Sequence, residues 1–575
     1  MVFRPPTWVP ELPVEPPANL SIADFMLDER YGRCPLEESR PPFTCGLSGK
    51  RYSAAEVRDR VDLLARGISQ QIGWSPQHGT QWDKIGLIFS FNTIDNLPLM
   101  WAIHRLLGVV CTVNPMSSVS ELRYFLKASG CGAIFTSRSL LATTQKAAKT
   151  YGIPDSRIFI IEDIGAVVDG QPPCPDTPTS YLTLDSLIDL GEKISPLPTV
   201  EWNDREGETR TAFLSWSSGT SGVPKAVMLS HKNVISQVLQ VCTFESQSRG
   251  GLKHHVSLGL LPQSHIYGLT VICHASAYRG DEVIVLPRFT LATCLSAVQR
   301  YGITSMFLVP PIIISMLRNQ EVMKTYDLSS IKFIYSGAAP LAPGLTDQLS
   351  TVLPQCPIRQ GYGLTESCGN FCHTVPQDVW LGSSGSLLPG CEAKLVSPVG
   401  REITTHGKVG ELLIRSPSAC MGYYKSPTET NELYQDGWMK TGDQALVRLS
   451  PKGHEHLFIV ERIKELIKVK GYQVAPAELE AHLLEHPAVA DAAVVGVNHD
   501  TDGEVPKAFI VRSTAYKDVE MATLARQISR HVEKHKAKSK RLKGGVEFVN
   551  AIPKNASGKI LRRLLRDRER RIRAL

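Results

Sequence analysis

Short, unbroken apolar runs alternate along the chain with stretches whose apolar residues recur every three or four positions. Ile85-Gly-Leu-Ile-Phe-Ser90 is a run of the first kind and predicts a buried strand. Leu97 to Leu107 then predicts a helix, and Val109-Val-Cys-Thr-Val113 the next strand. Ala133-Ile-Phe-Thr136 and Ile158-Phe-Ile-Ile161 repeat the theme. Alternation of this kind predicts parallel sheets covered by helices. Pro172 to Pro198 is rich in Pro, Thr and Ser and predicts a surface loop. From Gly385 to Arg448 short strands such as Glu411-Leu-Leu-Ile-Arg415 are separated by Gly and Pro turns, predicting a small β-subdomain. Beyond Ile459 helix and strand patterns return over a shorter stretch. That predicts a small separate C-terminal domain, with Glu461 to Lys468 as the charged connection.

The expected fold is therefore α/β. Residues 1–50 form an irregular Pro-rich segment. Residues 51–461 form a large domain of two helix-flanked sheets, with the β-subdomain at about 385–461. Residues 462–575 form a small α+β domain. A length of 575 residues agrees, since it exceeds one compact core and suggests roughly two to four folding units. The composition, 42% hydrophobic and 21% charged, is that of an ordinary soluble globular protein. A net charge of +7 is modest for this length and gives no reason to expect nucleic acid. The tail from His531 to Leu575 holds fifteen Lys/Arg against four Asp/Glu and reads as a solvated basic helix end. Thirteen cysteines without a Cys-x-x-Cys pair read as free thiols in a reducing compartment. Cys368 and Cys372 sit four apart, with no nearby His/Cys set to complete a metal site. No membrane span or apolar leader is expected. The last residues, Arg573-Ala574-Leu575, end in Leu like a peroxisomal address but lack the basic penultimate residue. The expected compartment is the cytoplasm, with the peroxisome as the alternative.

The chemistry concentrates in Ser217-Ser-Gly-Thr-Ser-Gly-Val-Pro-Lys225, which follows the apolar run Thr211-Ala-Phe-Leu-Ser-Trp216. Gly219 and Gly222 let the backbone approach a ligand, the hydroxyls of Ser217, Ser218, Thr220 and Ser221 add donors, and Lys225 adds positive charge. Such a loop suits a polyphosphate. It is not a Walker loop, because Lys225 follows Pro224 and no Ser/Thr comes after it.

This string resembles the signature loop of the adenylate-forming superfamily, which includes acyl-CoA synthetases, 4-coumarate:CoA ligases, luciferases and nonribosomal peptide adenylation domains. Further segments resemble that family in the same order. Gln360-Gly-Tyr-Gly-Leu-Thr-Glu-Ser367 is similar to its adenine and magnesium motif. There Gln360, Gly361 and Tyr362 would meet the purine, Thr365 a phosphate, and Glu366 would hold Mg²⁺. Thr441-Gly-Asp443, after Gly437-Trp-Met-Lys440, is similar to the ribose motif, with Asp443 accepting from the hydroxyls. Leu260-Leu-Pro-Gln-Ser-His-Ile-Tyr-Gly-Leu269 is similar to the segment beside the acid's carboxylate, which puts His265 near the reacting group. Tyr335-Ser-Gly-Ala-Ala-Pro340 is similar to the loop bordering the acyl pocket.

The segment from Ile459 to Gln473 resembles the interdomain hinge, with Glu461 in place of the usual Asp. The resemblance assigns Arg462 and Gln473 to the nucleotide and Lys464 to the hinge. It assigns Lys468 to thioester formation, and Lys470 and Gly471 to the CoA tunnel. Pro553-Lys-Asn-Ala-Ser-Gly-Lys-Ile-Leu-Arg562 resembles the last motif, whose lysine, here Lys559, is catalytic in adenylation. The acid pocket would include Tyr267, His274, Ala338, Gly363, Gly369 and Asn370.

The resemblance covers roughly Tyr52 to Arg563. It implies an ATP-dependent carboxylic acid:CoA ligase working through an acyl-adenylate, with ATP, Mg²⁺ and coenzyme A. Lys559, Lys468, His265, Thr220 and Glu366 would be its catalytic groups, and its C-terminal domain would be mobile. The acid would be aryl (cinnamate-like) or medium-chain fatty. One alternative is an acyl-AMP ligase that loads a carrier protein in trans; another is a non-catalytic scaffold.

Overall fold

The computed structural model describes residues 1–161, 180–217, 224–341, 343–470, 472–499, 502–555 and 558–574. The expected apolar runs form one side of a seven-stranded sheet, four adjacent strands out to its edge. Ile85–Phe89, Val109–Val113, Ala133–Ser137 and Ile158–Ile161 pair in parallel, and every residue of the four is buried. Helices on both faces make alternation unnecessary there. Leu87 and Phe89 face an outer layer through Leu122, Leu126, Ala147 and Ala148, whereas Ile88 faces inward. Thr211–Ser217 pairs in parallel with Val109–Val113, and the antiparallel Lys225–Ser230 and Gly422–Tyr423 follow it, extending this sheet toward the site.

An eight-stranded sheet lies on the other side of the main core. Its strands Glu282–Val285, Val256–Gly259, Ser305–Leu308, Phe333–Ser336 and Ile358–Leu364 are parallel neighbours. Between the sheets run helices buried all round, among them Asn96–Arg105 and His231–Glu245. The second of these starts on a capping box between Ser230 and Asn233.

Two smaller sheets complete the molecule. A six-stranded one, nearly all antiparallel hairpins, spans Glu392 to Arg462, in line with the expected β-subdomain. A five-stranded one lies at the C-terminal end, centred on the hairpin of Val489–His499 and Gly503–Arg512. Helices Pro476–Leu484 and Met521–His535 cover one face of it. Leu524, Ile528 and Val532 there share a core with Val494 and Ile510. That core is separate from the main one, so the small C-terminal domain has its own apolar interior.

Two sequence expectations change. Within the expected 172–198 loop, residues 172–179 lie outside the described part, but Leu184–Gly191 is a helix. Thr183 caps it, and Leu184, Leu187 and Ile188 recur at helical spacing against the helix Ala54–Ile72. The first fifty residues are also less irregular than their prolines suggest. Ile22–Leu27 is a capped helix, Phe43–Cys45 is an edge strand of the eight-stranded sheet, and Phe3, Phe25 and Met26 are buried.

Candidate active site

Three sheets and one C-terminal loop converge on a cavity of about 320 Å³. Trp216, Ser217 and Lys225 reach it from the edge of the seven-stranded sheet. Gly363, Leu364, Thr365 and Glu366 come from the end of the eight-stranded sheet. Glu411, Lys440, Thr441 and Arg462 come from the six-stranded one, and Asn555 and Lys559 from the C-terminal domain. Strand ends are where a sheet's backbone stops pairing with itself, so they supply free polar groups to one place.

The polar groups are held by named contacts. Asp443 is buried, and its Oδ2 accepts from the Tyr362 hydroxyl at 2.7 Å. Its Oδ1 lies 3.3 Å from Arg462 Nε but makes no hydrogen bond. A buried carboxylate oxygen left in this state fits a hydroxyl donor from a ligand. Burial raises the Asp443 carboxyl above its ordinary pKa, with Arg462 and Tyr362 opposing that. Glu366 Oε1 accepts from Tyr423 at 3.0 Å, and Lys225 Nζ sits 5.0 Å over the Tyr423 ring. Tyr423 thus aligns a carboxylate and an ammonium at one rim. The sequence motifs do not contain it, nor Glu411 and Glu429, which also line the cavity.

Lys559 is held by a turn whose ends close on each other. Its N–H donates to Asn555 Oδ1 at 2.8 Å, and its carbonyl accepts from Asn555 N–H at 2.9 Å. Burial, and then the neighbouring Arg462, bring its ammonium down to about 8. His265 borders the same cavity, and burial, with a smaller push from Lys559, lowers it to about 4. It is therefore a neutral imidazole at pH 7, and its Nδ1 accepts from Tyr267 N–H at 3.3 Å.

The acid-pocket residues divide. Ala338, at φ 65°, and Gly363 line the cavity. A Cβ on Gly363 would lie 1.8 Å from the Gly369 carbonyl oxygen on the paired strand, so this hairpin closes only around glycine. Tyr267, Gly369 and Asn370 stand behind that lining. His274 lies apart from that lining. It is fully buried, accepts from Trp101 Nε1 at 3.1 Å through Nε2, and turns Nδ1 to the Leu269 carbonyl at 2.7 Å. Both ring nitrogens are engaged in the core, so none remains for a pocket. The cause is local: Tyr267–His274 is π-helical, which rotates residues off the α-helical face.

Lys468, by contrast with Lys559, is exposed and outside the cavity. Lys464 lies in the short turn Ile463–Glu465. Lys470 pairs with Asp502 at 2.9 Å, and Gln473 accepts from Gln444 at 2.9 Å. Gln360 accepts from Leu341 N–H, and with Gly361 continues the strand below the cavity. Ser218, Gly219, Thr220, Ser221, Gly222 and Gly471 lie outside the described residues.

Known proteins share both sequence and shape with this chain. Residues 38–424 match the AMP-binding enzyme family, and residues 478–559 match the AMP-binding enzyme C-terminal domain. The chain belongs to the AMP-binding enzyme family. It is 39% identical to acyl-CoA ligase easD of Emericella nidulans over 568 residues, 98% of this chain and 100% of that one. It is 38% identical to acyl-CoA ligase gloD of Glarea lozoyensis, with 98% of each covered. The anthranilate CoA ligase AuaEII, solved with anthranoyl-AMP, has the same fold, with a TM-score of 0.81 at 22% identity, covering 97% of this chain and 99% of that one. This family member thus has the large sheet-and-helix domain and small C-terminal sheet domain of adenylate-forming enzymes. Among the described residues no helix is long and apolar enough to cross a membrane, and every cysteine is free.

Proposed function

We propose that the protein is an AMP-forming ligase that joins a carboxylic acid to coenzyme A. The observation that carries this is the meeting of Lys225, Glu366, Arg462 and Lys559 around one cavity, above the unsatisfied Asp443 Oδ1. Three cations and two carboxylates in that order suit a nucleoside triphosphate with a divalent cation. Asp443 would take the ribose hydroxyls, Lys225 and the 217–225 loop the pyrophosphate end, and Arg462 and Lys559 the α-phosphate. Glu366, with Tyr423 behind it, would hold Mg²⁺, which neutralises phosphate charge when bound.

In the first step a carboxylate oxygen of the acid attacks the α-phosphate. The α–β bridge bond breaks, and pyrophosphate leaves with its electron pair. The residues position the reactants and balance charge. His265, neutral and beside the cavity, can orient the carboxylate without neutralising it. In the second step a thiol adds to the acyl carbonyl, loses its proton, and expels AMP. That step would follow rotation of the C-terminal domain about Lys464, carrying Lys559 out and Lys468 in, with Lys470 and Gly471 along the CoA path. The exposed position of Lys468 outside the cavity, while Lys559 lines it, supports this reading. Acyl-CoA ligase relatives along the full chain support CoA as the acceptor over a carrier protein.

The acid we propose is aryl or medium-chain fatty. Tyr267 meets Phe307 edge-on, and Phe307 stacks on Tyr335 at 5.0 Å, giving an apolar floor behind the cavity. A panel of such acids, assayed for AMP release with and without CoA, tests both halves. CoA-dependent AMP release with at least one acid is expected. AMP release that needs a carrier protein and ignores CoA would overturn the acceptor.

The pH profile follows from Lys559. Its ammonium is charged below about pH 8 and neutral above. We expect kcat/KM for ATP–pyrophosphate exchange to fall on the alkaline side with an apparent pKa near 8. Lys559→Arg, charged throughout this range, should lose that limb while keeping a slower exchange. An unchanged limb in Lys559→Arg would assign it to another group.

A further inference from the structure

The C-terminal domain carries a group of imidazoles with no part in the cavity described above. His482 lies in the helix Pro476–Leu484 and is buried. His531 and His535 lie one turn apart in the helix Met521–His535. They sit on the ridge beside the buried Ile528 and Val532, which turns them toward the other helix. Each of the three offers a ring nitrogen, and these atoms all lie within 4.8 Å of one another. The His482 and His531 rings stack at 4.2 Å and 10°. His535 is 5.3 Å from His482 and 5.2 Å from His531, and His486 is 5.3 Å from His531.

Each ring is oriented by acceptors of its own domain. His482 Nδ1 is 3.0 Å from Glu485 Oε2, and His535 Nδ1 is 2.9 Å from the His531 carbonyl. The His531 carbonyl fixes the His535 N–H on Nδ1 and leaves its Nε2 as the lone pair. A carboxylate behind a ring N–H is the usual outer support of a metal-ligating histidine. His482 Nε2 and His531 Nε2 each face the other residue's carbonyl, at 3.5 and 3.4 Å. Contacts that long are weak and exchange readily for a metal bond.

We propose that His482, His531 and His535 bind a divalent transition metal of the zinc class, with His486 or water in the fourth position. Three imidazole nitrogens suit Zn²⁺, Ni²⁺ or Cu²⁺, not Mg²⁺ or Ca²⁺, which require oxygen. Tetrahedral zinc ligands stand about 3.3 Å apart. Small side-chain rotations of the exposed His535 and half-buried His531 close that gap. The bound ion would tie helix Pro476–Leu484 to helix Met521–His535. It would stiffen the domain that carries Lys468 and Lys559 without touching the cavity.

The test uses the full chain without an affinity tag, stripped by a chelator and titrated with Zn²⁺. One Zn²⁺ per chain, a raised Tm and a tetrahedral Co²⁺ spectrum on substitution are expected. His535 is exposed, so His535→Ala keeps the fold; it should weaken Zn²⁺ binding by at least about tenfold and remove the Tm shift. His78→Ala, exposed and remote, should leave both unchanged. No Zn²⁺ uptake by the parent chain overturns the site. So does an equal uptake and Tm shift in His535→Ala.

Discussion

Lys559→Ala is expected to lower ATP–pyrophosphate exchange by roughly 10²–10³-fold while leaving thiol attack on preformed acyl-AMP within a few-fold of normal. The lysine reaches the cavity from a loop of the C-terminal domain, half-buried near Arg462 and Asp443. Removing its ammonium takes away a cation placed where charge builds on the α-phosphate, and no other lysine of that domain lines the cavity among the described residues. On the proposed mechanism the second half-reaction uses a different arrangement, in which Lys559 has left. The two activities are separable by supplying synthetic acyl-AMP and measuring acyl-CoA. Lys468→Ala should show the reverse pattern. An equal loss of both steps in Lys559→Ala would mean that it holds the fold or the nucleotide throughout, and the two-state reading would fail.

How much of the fold and the site is legible in the sequence depends on how far each signal extends along the chain. The parallel strands were readable because burial on both faces demands runs such as Ile85–Phe89, which few other structures tolerate. The motif residues Lys225, Thr365, Glu366, Arg462 and Lys559 were readable because each sits in a short string with its own turn chemistry, and the structure gathers them at one cavity. Helix Leu184–Gly191 was hidden by composition: its flanks are Pro, Ser and Thr, although Thr183 and the 184/187/188 spacing carried a usable signal. The direction of His274 is not legible because Leu269 to Cys273 is almost uniformly apolar, so no periodicity marks which face points where. Tyr423 was missed for a different reason. It lies 57 positions from Glu366, on an edge strand brought alongside by pairing with Val227. The histidine cluster likewise joins helices 49 positions apart, a distance over which side-chain pattern carries nothing.

The same long reach governs stability behind the acid side of the cavity, where Asp281→Ala should cost about 3–5 kcal/mol of unfolding free energy. Asp281 is fully buried and accepts from Arg249 Nη1 and Nη2 at 3.0 and 2.6 Å, from Arg279 Nε at 3.0 Å, and from His255 N–H at 2.8 Å. Arg279 also pairs with buried Glu245 at 2.6 Å. Beside them the Arg359 guanidinium lies 4.1 Å over the Phe333 ring and donates to the Tyr335 hydroxyl. Tyr335 belongs to the aromatic floor, so this network braces it from below. Deleting the carboxylate leaves two nearly buried guanidiniums with less negative charge than they need, and that, more than one lost bond, sets the size of the effect. Burial pushes the Asp281 carboxyl up, but the two arginines and the hydrogen bonds hold it below its ordinary value. Its contribution is therefore complete above the unfolded carboxylate pKa of about 3.9 and is lost as the pH falls through the lower folded value. Denaturant titration at pH 7 should show a reduced midpoint with an unchanged slope. Glu38→Ala, which breaks only the exposed pair with Lys253, should leave the midpoint where it was. Equal midpoints for the two variants would show that the buried arginines find other partners, and the network would then be a packing feature with no electrostatic hold on the site.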